Sequence, residues 1–278
     1  MDSVALQFWS LLAGAFVLGA VIGSFLNVCI GRIPAGESII HPPSRCPHCG
    51  SSIRWYQNIP ILSYLFLAGR CASCKARISV RYPSVEALNG VLFAYVLWTF
   101  GMHWATPFYW VLVSALVVIT FIDLDHQIIP DVISLPGVII GLSLSVICPI
   151  LFENPSYMGP LGEHIPPLWY ESAIGILVGG GSLYLVAWLY ELLAKKEGMG
   201  GGDIKLLAML GAFMGWRAIF PVIFIASLLG TVVGVPLMLL NKKDGGFPIP
   251  FGPFLAAASL IYLFQGHRLI GWYLNLLS

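Results

Sequence analysis

The chain has 278 residues, of which 58% are hydrophobic and only 10% are charged. Soluble domains are on average about 25% charged, so a soluble protein of this composition would lack a polar surface. The net charge of +1 gives no electrostatic basis for binding nucleic acid. Several apolar runs reach the roughly 20 residues that an α-helix needs to cross a bilayer. The composition therefore predicts an all-α polytopic membrane protein. We expect no nucleic acid among its partners.

Eight apolar segments are predicted to span the membrane. The first has no basic residues before it and follows Asp2, which argues against a cleaved signal peptide, so we expect a retained span. The sixth is short for a full crossing. In chain order the segments are Val4–Ile30, Ser84–Phe100, Pro107–Ile122, Val132–Phe152, Glu171–Leu193, Ile204–Met214, Ala218–Leu240 and Phe251–Phe264.

The basic residues predict the orientation of these segments, because Lys and Arg concentrate in cytoplasmic loops. If the N-terminus lies outside, every basic residue except Arg217 and Arg268 falls on the cytoplasmic side. The loop 153–170 then lies outside, and it contains neither Lys nor Arg. The chain divides into a first transmembrane helix over 1–31, a cytoplasmic piece over 32–83, and a membrane region of about seven helices over 84–278.

The cytoplasmic piece contains two C-x2-C pairs, "CPHC" and "CASC". Their spacing is close to that of zinc ribbons, in which four thiolates surround one metal ion tetrahedrally. Four sulfur ligands leave no position for water, so the pattern predicts a structural zinc site. Disulfides or redox pairs are the alternatives, and the cytoplasmic placement disfavours stable disulfides. The predicted ligands are Cys46, Cys49, Cys71 and Cys74.

Carboxylates are costly in hydrocarbon, so their positions at the ends of apolar segments are informative. The stretch "FIDLDHQIIPD" carries Asp123, Asp125 and Asp131, and "GMGGGDIKLL" carries Asp203. The predicted topology places both stretches at the cytoplasmic membrane surface, where they can meet. Two neighbouring carboxylates tend to share one proton, and such a pair can activate water to attack an amide.

Glycines next to Asp203 suggest how a peptide could approach this pair. Gly200 and Gly202 would permit close backbone approach, positive φ angles and a hinge before the short sixth segment. The alternative is ordinary helix capping, since Asp residues at a helix N-terminus are stabilised by the helix dipole. Asp203 and Asp131 both fit that description.

At these residues the chain resembles the type IV prepilin leader peptidases, membrane aspartic proteases of the GxGD type. Gly200, Gly202 and Asp203 match the GxGD motif itself. Six segments match in the same order along the chain. They are "GSFLNVCIGRIP", the two cysteine pairs, "RYPSVEALNG", "IDLDHQIIPD", "KEGMGGGDIKLLAMLGAFMGW" and "IPFGPFLA".

The resemblance implies that Asp123 and Asp203 are the catalytic pair, with Asp125 as the rival of Asp123. Asp131 would cap its helix or support the pair, and Glu86 would support the site or methyl transfer. Such enzymes remove a basic leader from prepilins or pseudopilins at the cytoplasmic face of the bacterial inner membrane. Many also N-methylate the new N-terminus with S-adenosylmethionine.

Two other classes of function remain open on the residues alone. An ion- or proton-coupled transporter would use membrane carboxylates, but such proteins tend to place them near the bilayer midplane in repeated halves. No internal repeat is visible in this sequence. A non-catalytic membrane scaffold would dock a partner through the cysteine piece and use the aspartates only as caps.

Overall fold

The structure is a computed structural model that describes residues 3–103, 105–151, 157–158, 164–165, 167–194, 200–241 and 250–277. These residues are mostly helical. A short antiparallel pair, β1 (Tyr157–Met158) and β2 (His164–Ile165), lies in the predicted external loop. The helices are α1 (Ser3–Arg32), α2 (Leu62–Phe66), α3 (Arg81–Phe100), α4 (Thr106–His126), α5 (Asp131–Leu151), α6 (Trp169–Ala194), α7 (Gly201–Met214), α8 (Trp216–Asn241) and α9 (Gly252–Leu277).

Every apolar segment predicted from the sequence coincides with one of these helices, and α2 adds a short helix inside the cysteine piece. Within the described residues, four helices are long and apolar enough to cross a membrane: α1, α4, α6 and α8. The apolar parts of α5 and α9 are shorter. The lysines at 195, 196, 242 and 243, which contribute to the predicted orientation, lie outside the described residues.

The candidate spans expose large apolar side chains. On α6 and α8, Leu177 is 73% exposed and Phe224 is 70% exposed. An apolar surface of this kind usually contacts a membrane or another protein and not water. Lipid contact explains why these helices lack a polar outer face.

The chain forms two compact units, Met1–Val118 and Ile119–Ser278, and the division falls at a residue of α4. In the first unit, α1 and α3 pack closely through small residues, as membrane helices often do. A Cβ on Gly19 would lie 2.7 Å from the Phe93 Cβ, and one on Gly23 would lie 2.7 Å from the Glu86 Cα. The buried Asn89 side chain donates to the Gly19 carbonyl at 2.7 Å, which satisfies its polar atoms inside the unit.

In the second unit, α7 packs against α5 and α6 and is buried along most of its length. Leu206, Leu207 and Leu210 are fully buried. The Gly211 backbone contacts the Gly175 backbone directly. A helix of 14 residues is only about 21 Å long, shorter than the roughly 30 Å hydrocarbon core. Protein contacts, in place of lipid, therefore stabilise α7, and they fix the position of its first turn.

Candidate active site and cysteine cluster

Asp123 lies in the last turns of α4 and is only 5% exposed. Its Oδ2 accepts a hydrogen bond of 3.0 Å from the backbone N–H of Gly252, the first residue of α9. The contact joins residues 129 positions apart in the sequence. Space at Gly252 is tight, because a Cβ there would lie 2.6 Å from the same carboxylate oxygen. The α9 N-terminus thus holds the Asp123 carboxyl in a fixed position.

Asp203 lies in the first turn of α7, in the same compact unit as Asp123. The two side chains are close enough that the negative charge of Asp123 acts on the Asp203 carboxyl. Ile129 packs between the starts of α7 and α9: a Cβ on Gly202 would lie 2.8 Å from the Ile129 Cβ, and one on Gly252 would lie 3.2 Å from its Cδ1. The starts of α7 and α9 therefore converge on the end of α4.

This convergence brings two buried or half-buried carboxyls together from separate chain segments. Neighbouring carboxylates cannot both ionise easily, so such a pair tends to share one proton. One member can then accept a proton from water while the other donates to a carbonyl oxygen. The geometry is suited to water-dependent cleavage of an amide.

The other aspartates of the predicted group lie at the surface. Asp125 is exposed near the end of α4. Asp131 begins α5 and forms an ion pair of 2.7 Å with Lys205 of α7, with the two side chains 54% and 40% exposed. An exposed pair contributes at most about 1 kcal/mol, yet it ties the start of α5 to the turn that carries Asp203.

The glycines before Asp203 differ in their surroundings. Gly200 has φ −67°, and neither it nor Gly201 or Gly202 is among the described glycines with positive φ. Nothing lies within 4 Å of a Cβ built on Gly200 or Gly201. Only Gly202 is required by close approach, since its neighbour is Ile129. Gly201 and Gly202 are helical, so α7 begins two residues before Asp203.

Gly202→Ala is expected to destabilise the protein by about 1–3 kcal/mol and to reduce its activity, because the added methyl group overlaps Ile129. The displacement would move the first turn of α7, which carries Asp203. Gly201→Ala is the matched control. Its methyl group meets open space, and alanine in an exposed helical position stabilises by about 0.5–1 kcal/mol. Thermal unfolding in detergent measures both changes, and equal effects of the two variants would contradict the packing argument.

The four cysteines of the predicted metal site form one cluster in the first unit. Their four sulfur atoms all lie within 4.8 Å of one another, and the Sγ atoms of Cys46 and Cys74 are 3.8 Å apart. A tetrahedron with zinc–sulfur bonds of about 2.3 Å has edges of about 3.8 Å. The cluster is therefore of the size that a tetrahedral metal ion requires.

Each cysteine pair sits in a tight turn closed by backbone hydrogen bonds. The Cys46 N–H donates to Ser51 and the Cys71 N–H to Ala76, both at 2.9 Å. Hydrogen bonds from the backbone N–H groups of Cys74 and Ser73 lower the pKa of the Cys71 thiol to about 6. The thiolate is the form that binds metal, so this turn favours ligation by Cys71. The four cysteines fit a structural metal site.

Glu86 lies on α3 in the first unit and is 8% exposed. Its Oε2 accepts a hydrogen bond of 2.7 Å from the backbone N–H of Ile61, which precedes α2 and has φ 61°. Isoleucine is strained at positive φ, so this bond holds an unfavourable backbone turn in place. The geometry gives Glu86 a structural contact between α3 and the cysteine-containing segment.

Comparison with known proteins identifies the evolutionary group. Residues 17–100 match the bacterial Peptidase A24 N-terminal domain, and residues 110–235 match the type IV leader peptidase family. A protein of Stutzerimonas stutzeri named prepilin leader peptidase/N-methyltransferase is 39% identical over 94% of this chain and 93% of its own length. This chain belongs to the type IV leader peptidase family.

Other members of the type IV leader peptidase family with the same name show similar agreement. The protein of Pseudomonas aeruginosa is 38% identical over 93% of this chain and 92% of its own length. The protein of Myxococcus xanthus is 42% identical over 83% of this chain and 64% of its own length. No solved structure is detectably similar to this chain.

Three residues of the candidate site in this type IV leader peptidase family member escaped the sequence analysis. Gly252 and Ile129 contact the carboxylate region only through folding, and no spacing in the sequence links them to Asp203. Lys205 was visible only as a basic residue near the start of the sixth segment. The segment "IPFGPFLA" is the one signal for Gly252, since its Pro-Phe-Gly-Pro run marks a helix start.

Proposed function

We propose that this chain is a membrane aspartic endopeptidase whose catalytic residues are Asp123 and Asp203. It removes the basic leader from type IV prepilins or pseudopilins and N-methylates the new N-terminal residue. The observation that carries the proposal is the convergence of the two carboxyls at the starts of α7 and α9, within a chain of the leader peptidase family.

The peptidase reaction follows from one proton shared by two carboxyls. The ionised carboxyl removes a proton from water as the water oxygen attacks the scissile carbonyl, and the protonated carboxyl donates to the carbonyl oxygen. The carbon–nitrogen bond then breaks as the leaving amine takes up a proton. Gly202 supports this site by admitting Ile129 next to the first turn of α7, and Gly200 leaves open space before it. Asp131, paired with Lys205, positions α7, and Asp125 lies at the surface, where a basic leader would pass.

The membrane arrangement we propose has eight spans, an external N-terminus and the active site at the cytoplasmic face of the bacterial inner membrane. Its support is the distribution of basic residues along the sequence and the apolar surfaces of the long helices. A precursor with an apolar helix and a basic leader would lie in the same membrane, with its cleavage site at that face.

We further propose that the metal held by Cys46, Cys49, Cys71 and Cys74 is zinc. The support is the size of the sulfur cluster and the four thiol ligands, which suit zinc in a closed site. Such an ion would fold the segment between α1 and α3 and would take no part in catalysis. Glu86 anchors the same segment through Ile61.

S-adenosylmethionine is the methyl donor that the methylation activity requires. The described residues of the first unit form a groove of about 290 Å³ beside α1, lined by Arg32, Asn58, Ser24, Ser44 and apolar neighbours. Arg32 already donates to the carbonyls of Ser38 and Pro42, and no acidic residue lines the groove to bind ribose hydroxyls. These residues do not fit the methyl donor.

The transporter and scaffold functions are not favoured. Neither accounts for two carboxyls brought together with a shared buried environment, and neither is the function named for the relatives of this chain. A scaffold would need the aspartates only as caps, whereas Asp123 lies near the end of its helix, where a negative charge opposes the helix dipole.

The direct test is to incubate the purified protein in detergent with a prepilin-type precursor and S-adenosylmethionine, and to follow the product by mass spectrometry. We expect loss of the leader and then the gain of one methyl group. Omitting S-adenosylmethionine should leave cleavage intact and remove only the methyl gain. An unchanged precursor, with the protein shown to be folded, would support the scaffold or transporter function.

A further inference from the structure

The amide of Gly252 is a buried donor at the start of a helix. The first N–H groups of an α-helix have no partner within the helix, and a buried one must find another acceptor. At the start of α9, the N–H groups of Phe254 and Leu255 donate to the Phe251 carbonyl, and Pro253 has no N–H. The Gly252 N–H donates to Asp123 instead.

The two carboxyls of the site therefore differ in their donors. Asp123 accepts a hydrogen bond from Gly252, and the partial positive charge of the α9 N-terminus lies beside it. Asp203 also has a helix N-terminus beside it, that of α7, but the described residues provide no hydrogen-bond donor to its carboxyl oxygens. Burial and the charge of Asp123 both disfavour its ionised form. A donor to the charged form favours ionisation, so the shared proton resides on the carboxyl that lacks one.

We propose that the Gly252 N–H is a positioning group that keeps Asp123 ionised, so that Asp123 is the general base and Asp203 carries the proton. This inference rests on the proposed peptidase function and adds a division of roles to it. Gly252 itself does not touch the reacting atoms and acts through Asp123.

The division of roles specifies each proton transfer. Water attacks the scissile carbonyl carbon, one of its protons passes to Asp123, and the proton of Asp203 passes to the carbonyl oxygen. In the second step the carbon–nitrogen bond breaks, and the leaving nitrogen takes the proton from Asp123. Asp203 recovers a proton from one hydroxyl of the intermediate, which leaves a carboxylic acid product and restores the starting state.

The Gly252 close approach explains why no larger residue fits at this position. A Cβ would lie 2.6 Å from the Asp123 Oδ2 and 3.2 Å from its Cγ, so any side chain would push the carboxyl away from the amide. Glycine is therefore required by contact distance, and the requirement comes from the hydrogen bond itself.

The test removes the N–H without adding an atom. Cell-free translation into liposomes with a suppressor tRNA carrying glycolic acid replaces the Gly252 amide with an ester. Glycolic acid at Gly271, farther along α9 where a Cβ would meet nothing within 4 Å, controls for the effect of an ester in this helix. Gly252→Ala is a second variant that displaces the carboxyl while keeping the N–H.

We expect the Gly252 ester to lower kcat for precursor cleavage about 10-fold with little change in KM, because a hydrogen bond to a charged group is lost. The acidic limb of the kcat profile should move to higher pH, since the ionised form of Asp123 has lost its donor. Other titratable groups nearby are Asp203 on α7, Asp125 and His126 on α4, and the Asp131–Lys205 pair, and these are the same in both ester proteins. The first turn of α9 carries no charged residue.

The outcomes separate this inference from the proposed function. If the Gly252 ester and the Gly271 ester have the same kcat and the same acidic limb, the positioning role is wrong, while cleavage by the wild type still supports the peptidase. If kcat falls without movement of the acidic limb, the Gly252 N–H supports activity without favouring the ionised form of Asp123, and the role assignment fails. If the wild type does not cleave the precursor, the proposed function itself fails.

Discussion

Asp123→Asn and Asp203→Asn are each expected to lower kcat/KM for precursor cleavage by about 1000-fold, the typical size of a general acid or base contribution. Asparagine has nearly the same shape as aspartate and can still accept the Gly252 N–H at position 123, but it neither takes up nor releases the required proton. Single-turnover cleavage of a precursor by each purified variant measures the loss.

Asp125→Asn is the matched control, because Asp125 lies two residues from Asp123 on the same helix and is exposed. At saturating precursor it should cleave at close to the wild-type rate, because any attraction of Asp125 for the basic leader affects KM and not the proton transfers. If Asp123 and Asp203 only cap helices, both Asn variants should keep their activity, since asparagine caps helices as well as aspartate does. Substantial cleavage by Asp123→Asn and Asp203→Asn together would therefore show that the two residues are structural.

Cys46→Ser and Cys74→Ser are expected to weaken zinc binding by more than about 100-fold. Removing a residue that only hydrogen-bonds to a metal ligand already weakens metal affinity by about 10–100-fold, and these variants remove a ligand itself. Without the ion, the segment 32–83 should unfold, as small thiolate domains commonly do. Elemental analysis of the purified protein should show one zinc per chain in the wild type and little in the variants. Limited proteolysis should cut the variants within this segment.

Cys29→Ala serves as the control for the cysteine variants. Cys29 is buried in α1, away from the sulfur cluster, so its removal should leave the zinc content unchanged. A chelator should reproduce the protease sensitivity of the ligand variants in the wild type, and low pH should favour metal release because protons compete for the thiolates. Full zinc content in Cys46→Ser would contradict the four-cysteine site.

The positions of the helices were predictable from the sequence because lipid contact requires long apolar runs, and these runs are visible in the residues. The cysteine cluster was predictable for a similar reason, since C-x2-C turns have a local geometry. The nature of α7 was harder to infer. Its apolar residues indicate that it is shielded from water. The sequence alone does not show whether lipid or the neighbouring helices α5 and α6 surround it.

The candidate site was only partly predictable. Asp123 and Asp203 are recognisable as carboxylates next to apolar segments. The resemblance to the prepilin leader peptidases implies that they act as one catalytic pair. Whether Asp125 faces the surface depends on the rotation of α4 about its axis. The ion pair of Asp131 with Lys205 depends on how α5 and α7 pack. The sequence between these residues determines neither. The contact of Gly252 with Asp123 depends on how α9 packs against the other helices, so no local pattern reveals it.

The placement of Ile129 has a consequence for how this chain can vary. One side chain fills the space next to Gly202 on one side and next to Gly252 on the other. The three residues thus share one space, so a larger side chain at position 202 requires a smaller side chain at position 129. Ile129 fixes the spacing between the two helix starts, so a larger residue at position 202 is expected to occur together with a smaller residue at position 129, while position 252 stays glycine.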